Sequence, residues 1–440
     1  MKLSYHLLLA LLLAVGLHNP THAQDDVYPA KPDMGRLFIT GGTVHVGNGQ
    51  VIQNATIEIN NGKIVRVGAD IQPSGDGRTI DAKGKQVYPG LILSVTDLGL
   101  KEIGSGVRGS NDLEELGDLN PNIRSIVAYN TDSKIINTLK SNGILLAGTT
   151  PEGGTISGSS TVVQLDAWNW EDAAYKPDNA IHVTLPSFLP RPRRFGGGGR
   201  PGGPPAGDPV KEALDKIEEL KTFFREARAY NAEATHKETN LKFEAVKGLY
   251  TKQQKLFIHG DQVKQMLVAI EFAKEFGFDV TIVGGSESWL IADLLKQNNI
   301  SVILQQLHAL PTTEDDDVDQ PFKTPAVLQK AGVLFALNDN HEESRYRNLM
   351  FNAGTAVAYG LTKEEALEAI TLNAAKICGI DDRTGSLEAG KDANIVISGG
   401  DILDMRTSLI EHCFIQGREV SLENKQTQLY HRYMTKYGLK

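Results

Sequence analysis

The stretch that decides the fold is Leu256-Phe257-Ile258-His259-Gly260, followed by Val280-Thr281-Ile282-Val283 and then by Val302-Ile303-Leu304. Each run is short and unbroken, which is typical of parallel strands buried on both faces. The segments between them, Gln262 to Glu275 and Ser288 to Gln297, have the apolar spacing of amphipathic helices. This alternation of strand and helix predicts an α/β fold with a parallel sheet.

The alternation continues on both sides of this stretch. Ile144-Leu145-Leu146-Ala147 and Val333-Leu334-Phe335-Ala336-Leu337 are further apolar runs, and Lys363 to Ala375 has the pattern of a helix. A (β/α)₈ TIM-like barrel needs roughly 250 residues, so the span from 89 to 390 is long enough to hold one. An open, doubly wound sheet is the alternative that periodicity alone leaves open.

The two ends of the chain have a different pattern. Ala55-Thr56-Ile57-Glu58-Ile59 and Lys63-Ile64-Val65-Arg66-Val67 alternate apolar and polar residues around Asn60-Asn61-Gly62, as antiparallel strands with tight turns do. Ala393 to Ile397 and His412 to Val420 repeat the pattern near the other end. We therefore predict a small β-sandwich formed by residues 36–88 and 391–422 from both chain ends, with the barrel inserted between them.

Composition and charge exclude some classes of function. The chain has 440 residues, 40% of them hydrophobic, and a net charge of −9. An acidic chain lacks the basic surface that nucleic-acid binding requires, so we expect a small-molecule substrate or ligand. A stretch rich in Pro, Gly and Arg at 190–209 is predicted to be a flexible loop that leaves the barrel.

The N-terminus has the pattern of a secretory signal peptide. Lys2 precedes an apolar run from Leu7 to Leu17, and small residues allow a cut after Ala23. The run is shorter than the ~20 residues that cross a bilayer, so no membrane span is predicted, and residues 1–23 would direct the protein to the periplasm or outside the cell. Cys378 and Cys413 lie in helix and strand patterns, which favours two buried free thiols over a disulfide bridge.

Several framing motifs together resemble the amidohydrolase superfamily, and within it the imidazolonepropionase-related branch. They are Gly41-Gly42-Thr43-Val44-His45, Asp81 to Lys85, Tyr88-Pro89-Gly90-Leu91-Ile92, Thr371 to Ile380 and Gly385 to Ala393. The resemblance extends from about Leu37 to Val420 and implies a metal-dependent hydrolase of carbon–nitrogen bonds. In such enzymes a divalent metal lowers the pKa of a bound water, and an aspartate after the eighth strand takes its proton.

The metal-ligand motifs of that superfamily are incomplete here. The resemblance implies Asp-x-His-x-His after the first barrel strand, where this chain has Leu93-Ser94-Val95-Thr96-Asp97. Val95 has no lone pair to offer a metal, and Asp97 supplies an oxygen in place of an imidazole nitrogen. His259 matches the histidine at the end of strand 5, whereas the strand-6 histidine falls on Gly284.

The remaining site residues come from the resemblance and from the segments that follow predicted strands, among them Gly284-Gly285-Ser286-Glu287. Asp339 matches the catalytic aspartate near strand 8, and a shift of one residue would place Asn340 there instead. Asp97 and His259 are the predicted metal ligands, and Glu287 and His341 are predicted to bind substrate. Asp97, His259 and Asp339 together would hold Mn²⁺ or Mg²⁺ weakly and would be a poor zinc site.

The sequence is therefore compatible with two functions. One is an exported hydrolase of a non-peptide carbon–nitrogen bond with an altered metal site, which uses zinc, manganese, magnesium or no metal. The other is a catalytically degenerate relative that binds a ligand or docks a partner. A second copy of the chain or a catalytically complete paralogue is the predicted protein partner.

Overall fold

The computed structural model describes residues 27–33, 35–102, 111–189, 208–233, 235–305, 307–313, 315–339 and 345–439. The predicted signal peptide, residues 190–207 of the predicted loop, Asn340 and His341 lie outside these residues. The described strands are β1 (Arg36–His45), β2 (Val51–Asn60), β3 (Lys63–Gly68), β4 (Arg78–Asp81), β5 (Gln86–Pro89), β6 (Leu91–Thr96), β7 (Ile144–Thr149), β8 (Ile156–Gln164), β9 (Ala174–Thr184), β10 (Lys255–Gly260), β11 (Val280–Gly284), β12 (Ser301–Leu304), β13 (Phe335–Leu337), β14 (Ile395–Ser398), β15 (Ile410–Ile415) and β16 (Arg418–Val420). The described α-helices are α1 (Ser125–Ala128), α2 (Lys134–Lys140), α3 (Trp170–Ala173), α4 (Pro209–Ala232), α5 (Leu241–Ala245), α6 (Lys247–Tyr250), α7 (Val263–Phe276), α8 (Ala292–Gln297), α9 (Gln320–Ala331), α10 (Leu349–Ala358), α11 (Lys363–Ala369), α12 (Leu372–Cys378) and α13 (Lys425–Lys436).

Strands from both chain ends form one hydrogen-bonded sheet, in the order β16-β15-β14-β5-β1-β2-β3 with β4 beside β1. The two ends meet where β14 runs antiparallel to β5, with Ile395 opposite Pro89. Ile57, Val87 and Ile395 are buried in one apolar core that both ends share. The contribution of both ends to one sheet is as predicted, whereas the arrangement of this sheet as a two-layer sandwich stays a prediction.

The middle of the chain forms a second eight-stranded sheet, in which β6 to β13 follow one another in sequence order. Strands β9 to β13 run parallel to one another, and β6 is parallel to β7. Strands β11, β12 and β13 are almost entirely buried, as is typical of parallel strands that are covered on both faces. This order and burial give the barrel-like architecture that the apolar runs predict.

One strand departs from the predicted (β/α)₈ pattern. β8 runs antiparallel to both β7 and β9. The cause is the connection between β7 and β8, which consists only of Thr150 to Thr155. A parallel crossover needs a dozen or more residues, so a connection this short can only reverse the chain. β7, β8 and β9 therefore form an antiparallel meander within an otherwise parallel sheet.

The side chain of Asn338 joins the last strand of this sheet to the first. Its Nδ2 donates a hydrogen bond to the carbonyl of Val95 at 2.7 Å, and its Oδ1 accepts one from the amide of Ser94 at 3.0 Å. Asn338 follows β13, and the two partners lie in β6. The side-chain amide of Asn338 thus makes the hydrogen bonds between β13 and β6 that backbone groups make between the other strands. It holds the carboxyl end of β13 beside that of β6.

A buried ion pair connects the barrel to the end-to-end sheet. Asp166 is fully buried and accepts a hydrogen bond from Lys140 Nζ at 2.9 Å, and the exposed fraction of the Lys140 side chain is only 3%. Arg418 in β16 and the amide of Ala30 also contact this carboxylate. Because burying an unpaired charge costs several kcal/mol, about 3–5 on removal of one partner, this junction depends on all of its partners.

The two cysteines, Cys378 and Cys413, are both buried and unbridged, which confirms the prediction of free thiols. None of the helices in the described ranges is long and apolar enough to span a membrane.

Candidate active site

A cavity of about 590 Å³ opens at the carboxyl edge of the barrel sheet. Its wall includes the ends of four adjacent strands, with Thr184 of β9, His259 of β10, Gly284 of β11 and Leu304 of β12. Trp289 also contributes to the wall, from the short 3₁₀ helix Ser288–Ile291. Active sites of barrel enzymes lie at this edge, where strand ends and the following loops bring side chains together.

His259 reaches this cavity and is paired with a second histidine. Its Nε2 shares a hydrogen bond of 2.9 Å with Nδ1 of His182, which lies on the neighbouring strand β9. His182 is fully buried and packs its ring edge against Phe257. Burial lowers the pKa of His259 to about 4, and burial together with His259 lowers the pKa of His182 well below its usual range. Both imidazoles are therefore neutral at pH 7.

Sequence reasoning missed the role of His182. Its contact with His259 joins residues that are far apart in the chain, and no motif marks it. The only available indication was strand alternation, which places His182 and Thr184 on one face of β9. A histidine on the buried strand next to that of His259 could have been paired with it on this ground.

Asp97 lies just after β6, as the strand pattern predicts. The Tyr346 hydroxyl donates a hydrogen bond to its Oδ1, and burial, with the charge of Asp97, raises the pKa of that tyrosine. Burial, followed by the charge of Asp97, also raises the pKa of Glu152. Asp97 is thus half-buried beside a second carboxyl group and is not among the residues that line the cavity.

Asp339 lies at the carboxyl end of β13 with only 2% of its surface exposed. Its Oδ2 accepts a hydrogen bond of 3.0 Å from Nδ2 of Asn352 in α10. This is the strand-8 position that the sequence assigns to the catalytic aspartate, although Asp339 does not line the cavity either. Its catalytic role stays a prediction.

The donors for a metal ion do not form a complete set. Within the described ranges, no three His, Cys, Asp or Glu side chains lie close enough together to hold a metal ion. Val95 is buried and offers no donor, and Gly284 has no side chain at all. The described residues therefore do not fit a zinc centre of the kind that the superfamily resemblance implies. The assignment of Asp97 and His259 as metal ligands stays a prediction.

The backbone at Gly284 also disfavours the missing histidine. Its φ of +107° is a conformation that L side chains rarely adopt. A Cβ placed there would lie 2.7 Å from Oδ1 of Asp261 and 3.1 Å from the carbonyl of Gly260. The strand-6 histidine of the superfamily thus has neither the backbone conformation nor the space that it needs.

The loop after Gly284 uses its own polar groups internally. The amide of Ser286 donates to Asp261 Oδ1, and the amide of Glu287 donates to the carbonyl of Asp261. The carboxylate of Glu287 accepts a hydrogen bond of 2.7 Å from the amide of Val263, the first residue of α7. Glu287 therefore caps a helix, which satisfies an amide that would otherwise lack a partner. It does not line the cavity, and its role in substrate binding stays a prediction, as does that of His341, which lies outside the described residues.

Comparisons with known proteins agree with this architecture. Residues 263–421 match the family model of the amidohydrolase family. The imidazolonepropionase of Thermoplasma volcanium is 27% identical over 387 residues, which cover 81% of this chain and 88% of that protein. The imidazolonepropionase of Mesorhizobium japonicum is 24% identical over 381 residues, covering 79% of this chain and 87% of its own.

Solved structures are similar in fold. An amidohydrolase from Thermotoga maritima superposes with a TM-score of 0.73 at 24% identity, covering 88% of this chain and 99% of its own. A zinc-bound adenosine deaminase from Xanthomonas campestris gives a TM-score of 0.52 at 14% identity, covering 92% of this chain and 99% of its own. At these identities the likeness concerns the fold alone.

Proposed function

Because the chain belongs to the amidohydrolase superfamily and is related to the imidazolonepropionases, we propose that it is a hydrolase of a non-peptide carbon–nitrogen bond with an altered metal site. The observation that carries this proposal is the position of His259. It lies on the wall of a 590 Å³ cavity at the carboxyl edge of four adjacent strands. A cavity of this size holds a small molecule, and His259 supplies the only imidazole among its described lining residues.

The histidine pair defines what this side chain can do. With Nε2 of His259 bound to His182, Nδ1 is the ring nitrogen left for a ligand. Nε2 of His182 is buried and has no hydrogen-bond partner among the described residues. A buried N–H without an acceptor is rare, so this nitrogen is better unprotonated, and His182 then donates from Nδ1. His259 in turn carries its proton on Nδ1 and directs it at the ligand.

A neutral imidazole of this kind can polarise the carbonyl of an amide. The hydrogen bond strengthens as the oxygen becomes negative, which favours the transition state over the ground state. The low pKa of His259 keeps the ring neutral and makes it a poor proton acceptor at pH 7. A separate base is therefore required, and Asp339 is the candidate that the superfamily pattern supplies.

The proposed metal site is weaker than that of the superfamily. Val95 and Gly284 offer no donor atoms, and the remaining carboxylates favour a hard ion such as Mn²⁺ or Mg²⁺ over zinc. No step of the chemistry proposed here depends on a metal. Purified without added metal, the protein is expected to contain far less than one zinc per chain by elemental analysis.

A second function is favoured by the same two positions. A barrel mouth that has lost imidazole donors at Val95 and Gly284 can bind a ligand, or dock a catalytically complete paralogue, without catalysing a reaction.

For both functions we propose that residues 1–23 are removed and that the protein acts in the periplasm or outside the cell.

Hydrolysis of a panel of cyclic amides by the exported chain tests the proposed function. Imidazolones, hydantoins and dihydropyrimidines lose a characteristic ultraviolet absorbance when the ring opens. We expect turnover of at least one class, and a loss of about 10²-fold in kcat for His259→Asn, as for the removal of one donor to a developing oxyanion. His431→Asn in α13 is the matched control, because that ring is exposed. Turnover that survives in His259→Asn, or a panel that is never hydrolysed, would overturn the assignment, and the latter result favours the binding function.

A further inference from the structure

We propose that the cavity beside His259 selects a ligand with a planar cationic group and rejects anionic ligands. This inference rests on the proposed function in that it takes the cavity as the substrate site. It concerns the charge of the substrate, which the relationship to the amidohydrolases does not determine.

Among the described residues, the charged side chains on the cavity wall are carboxylates. Asp261 and Asp316 line it, and none of the lining residues in the described ranges is Lys or Arg. Lys264, the lysine nearest to Asp261 in sequence, lies over the ring of Phe188. Lys323, the lysine nearest to Asp316, forms ion pairs with Asp317 and Asp319, which lie outside the lining. Within the described residues, Asp261 and Asp316 thus lack a basic partner. Both carboxylates attract a cationic group that enters the cavity and repel an anionic one.

The described loop after β11 offers no compensating site for an anion. A glycine-containing loop before a helix is a common anion-binding feature, because its amides point toward the ligand. Here the amides of Gly285, Ser286 and Glu287 all donate to Gly260 or Asp261. The first turn of α7 is capped by carboxylate and amide side chains of the protein itself. An anionic ligand would lose its hydration and gain no positive partner in exchange.

Trp289 supplies the surface that a planar cation prefers. Its indole is half-buried on the cavity wall. Among the described residues it has no aromatic or cationic partner, in contrast to Trp168, which packs on Tyr28. The electron-rich face of an indole attracts amidinium, guanidinium and imidazolium groups, and nearby carboxylates strengthen that attraction.

The combination points to a substrate that differs from that of the named relatives. Imidazolonepropionases are named for an imidazolone that bears a propionate group. A propionate in this cavity would face two carboxylates with no described cation beside them. The substrate class that fits is an amide or cyclic amide that carries a cationic group in place of a carboxylate.

Three ligands of one shape and different charge test this inference: benzamidine, benzamide and benzoate. Titration calorimetry of the full exported chain is expected to rank them in that order, with benzamidine binding on the order of tenfold more tightly than benzamide. Benzoate that binds as tightly as benzamidine would overturn the proposal.

Substitutions locate the charge effect. Asp316→Asn and Asp261→Asn are each expected to weaken benzamidine severalfold and to leave benzamide unchanged. Asparagine at 261 keeps the oxygen that accepts from Ser286, so the loop is retained. Asp317→Asn is the matched control, because that carboxylate is exposed and paired with Lys323. Equal affinities of the two lining variants and the wild type for benzamidine would overturn the proposal.

The binding readout is independent of turnover. If the charge order holds but no cyclic amide is hydrolysed, the proposed function fails and the ligand preference stands. If hydrolysis occurs and the charge order is absent, only the preference fails.

Discussion

Gly284→Ala is the substitution that tests most directly whether the missing metal ligand is excluded by the backbone. A non-glycine residue held at a φ of +107° carries a strain of about 1–3 kcal/mol. The new Cβ would also lie 2.7 Å from Asp261 Oδ1, which must then move away from the amide and hydroxyl of Ser286. Loss of those hydrogen bonds adds about 1 kcal/mol. We expect the free energy of unfolding to fall by about 3 kcal/mol in total.

Gly277→Ala separates the strain from the steric conflict. Gly277 ends α7 with a φ of +71°, and a Cβ there would meet no atom within 4 Å. Its cost is therefore that of the left-handed conformation alone, about 1–2 kcal/mol. Urea unfolding followed by tryptophan fluorescence measures both variants, and Trp289 reports on the loop that follows Gly284.

A Gly284 variant no less stable than the Gly277 variant would refute this reasoning. That result would mean that the Asp261 carboxylate moves away from the new Cβ without lowering the free energy of unfolding. The position would then accept a side chain, and the absence of a histidine there would have no cause in the backbone.

Three further perturbations follow from the structure. Val95→His together with Asp97→His is expected to raise zinc affinity in a competition titration, and an unchanged affinity would show that these positions do not face the barrel mouth. Lys140→Met leaves the buried carboxylate of Asp166 without its closest cation and should lower the free energy of unfolding by about 3 kcal/mol. A decrease of less than about 1 kcal/mol in urea unfolding would contradict this. Burial by itself lowers the pKa of His45, but the hydrogen bonds to Glu364 and Gln86, with the charges of Glu364 and Asp401, together outweigh it, so the pKa lies above 6.5 when folded. The stabilisation relative to His45→Gln should therefore be complete below pH 6.5 and disappear as pH rises through the folded pKa, which thermal unfolding from about pH 5.5 to about 8.5 measures; a pH-independent difference would contradict it.

The order of the elements could be predicted because it depends on local patterns. Unbroken runs such as Val280 to Val283 mark strands buried on both faces, and alternation around Asn60-Asn61-Gly62 marks an antiparallel pair. The direction of β8 was missed because its residues, Ile156 to Gln164, carry no mark of direction. Only the shortness of the connection from Thr150 to Thr155 contained that information.

The candidate site could be predicted only in part. His259 could be predicted because it lies at the end of an apolar run and matches a superfamily position. Its partner His182 was missed, since their contact depends on the register between β9 and β10 and not on any spacing in the sequence. Glu287 was assigned to substrate because it follows a strand and two glycines, but a helix N-terminus competes for the same carboxylate.

The two missing imidazoles are not equivalent once the backbone is considered. Val95 lies in β6 and has an ordinary side chain, so the donor is missing there because the residue is aliphatic. At Gly284 the loss is part of a loop in which Asp261 holds Ser286 and occupies the space of a Cβ. The carboxylate that lines the cavity with negative charge is therefore the same group that excludes a histidine donor. Because Asp261 has both effects, the loss of a histidine donor at Gly284 and the negative charge of the cavity wall have one cause in common, and Asp316 and Trp289 complete the proposed recognition of a cation.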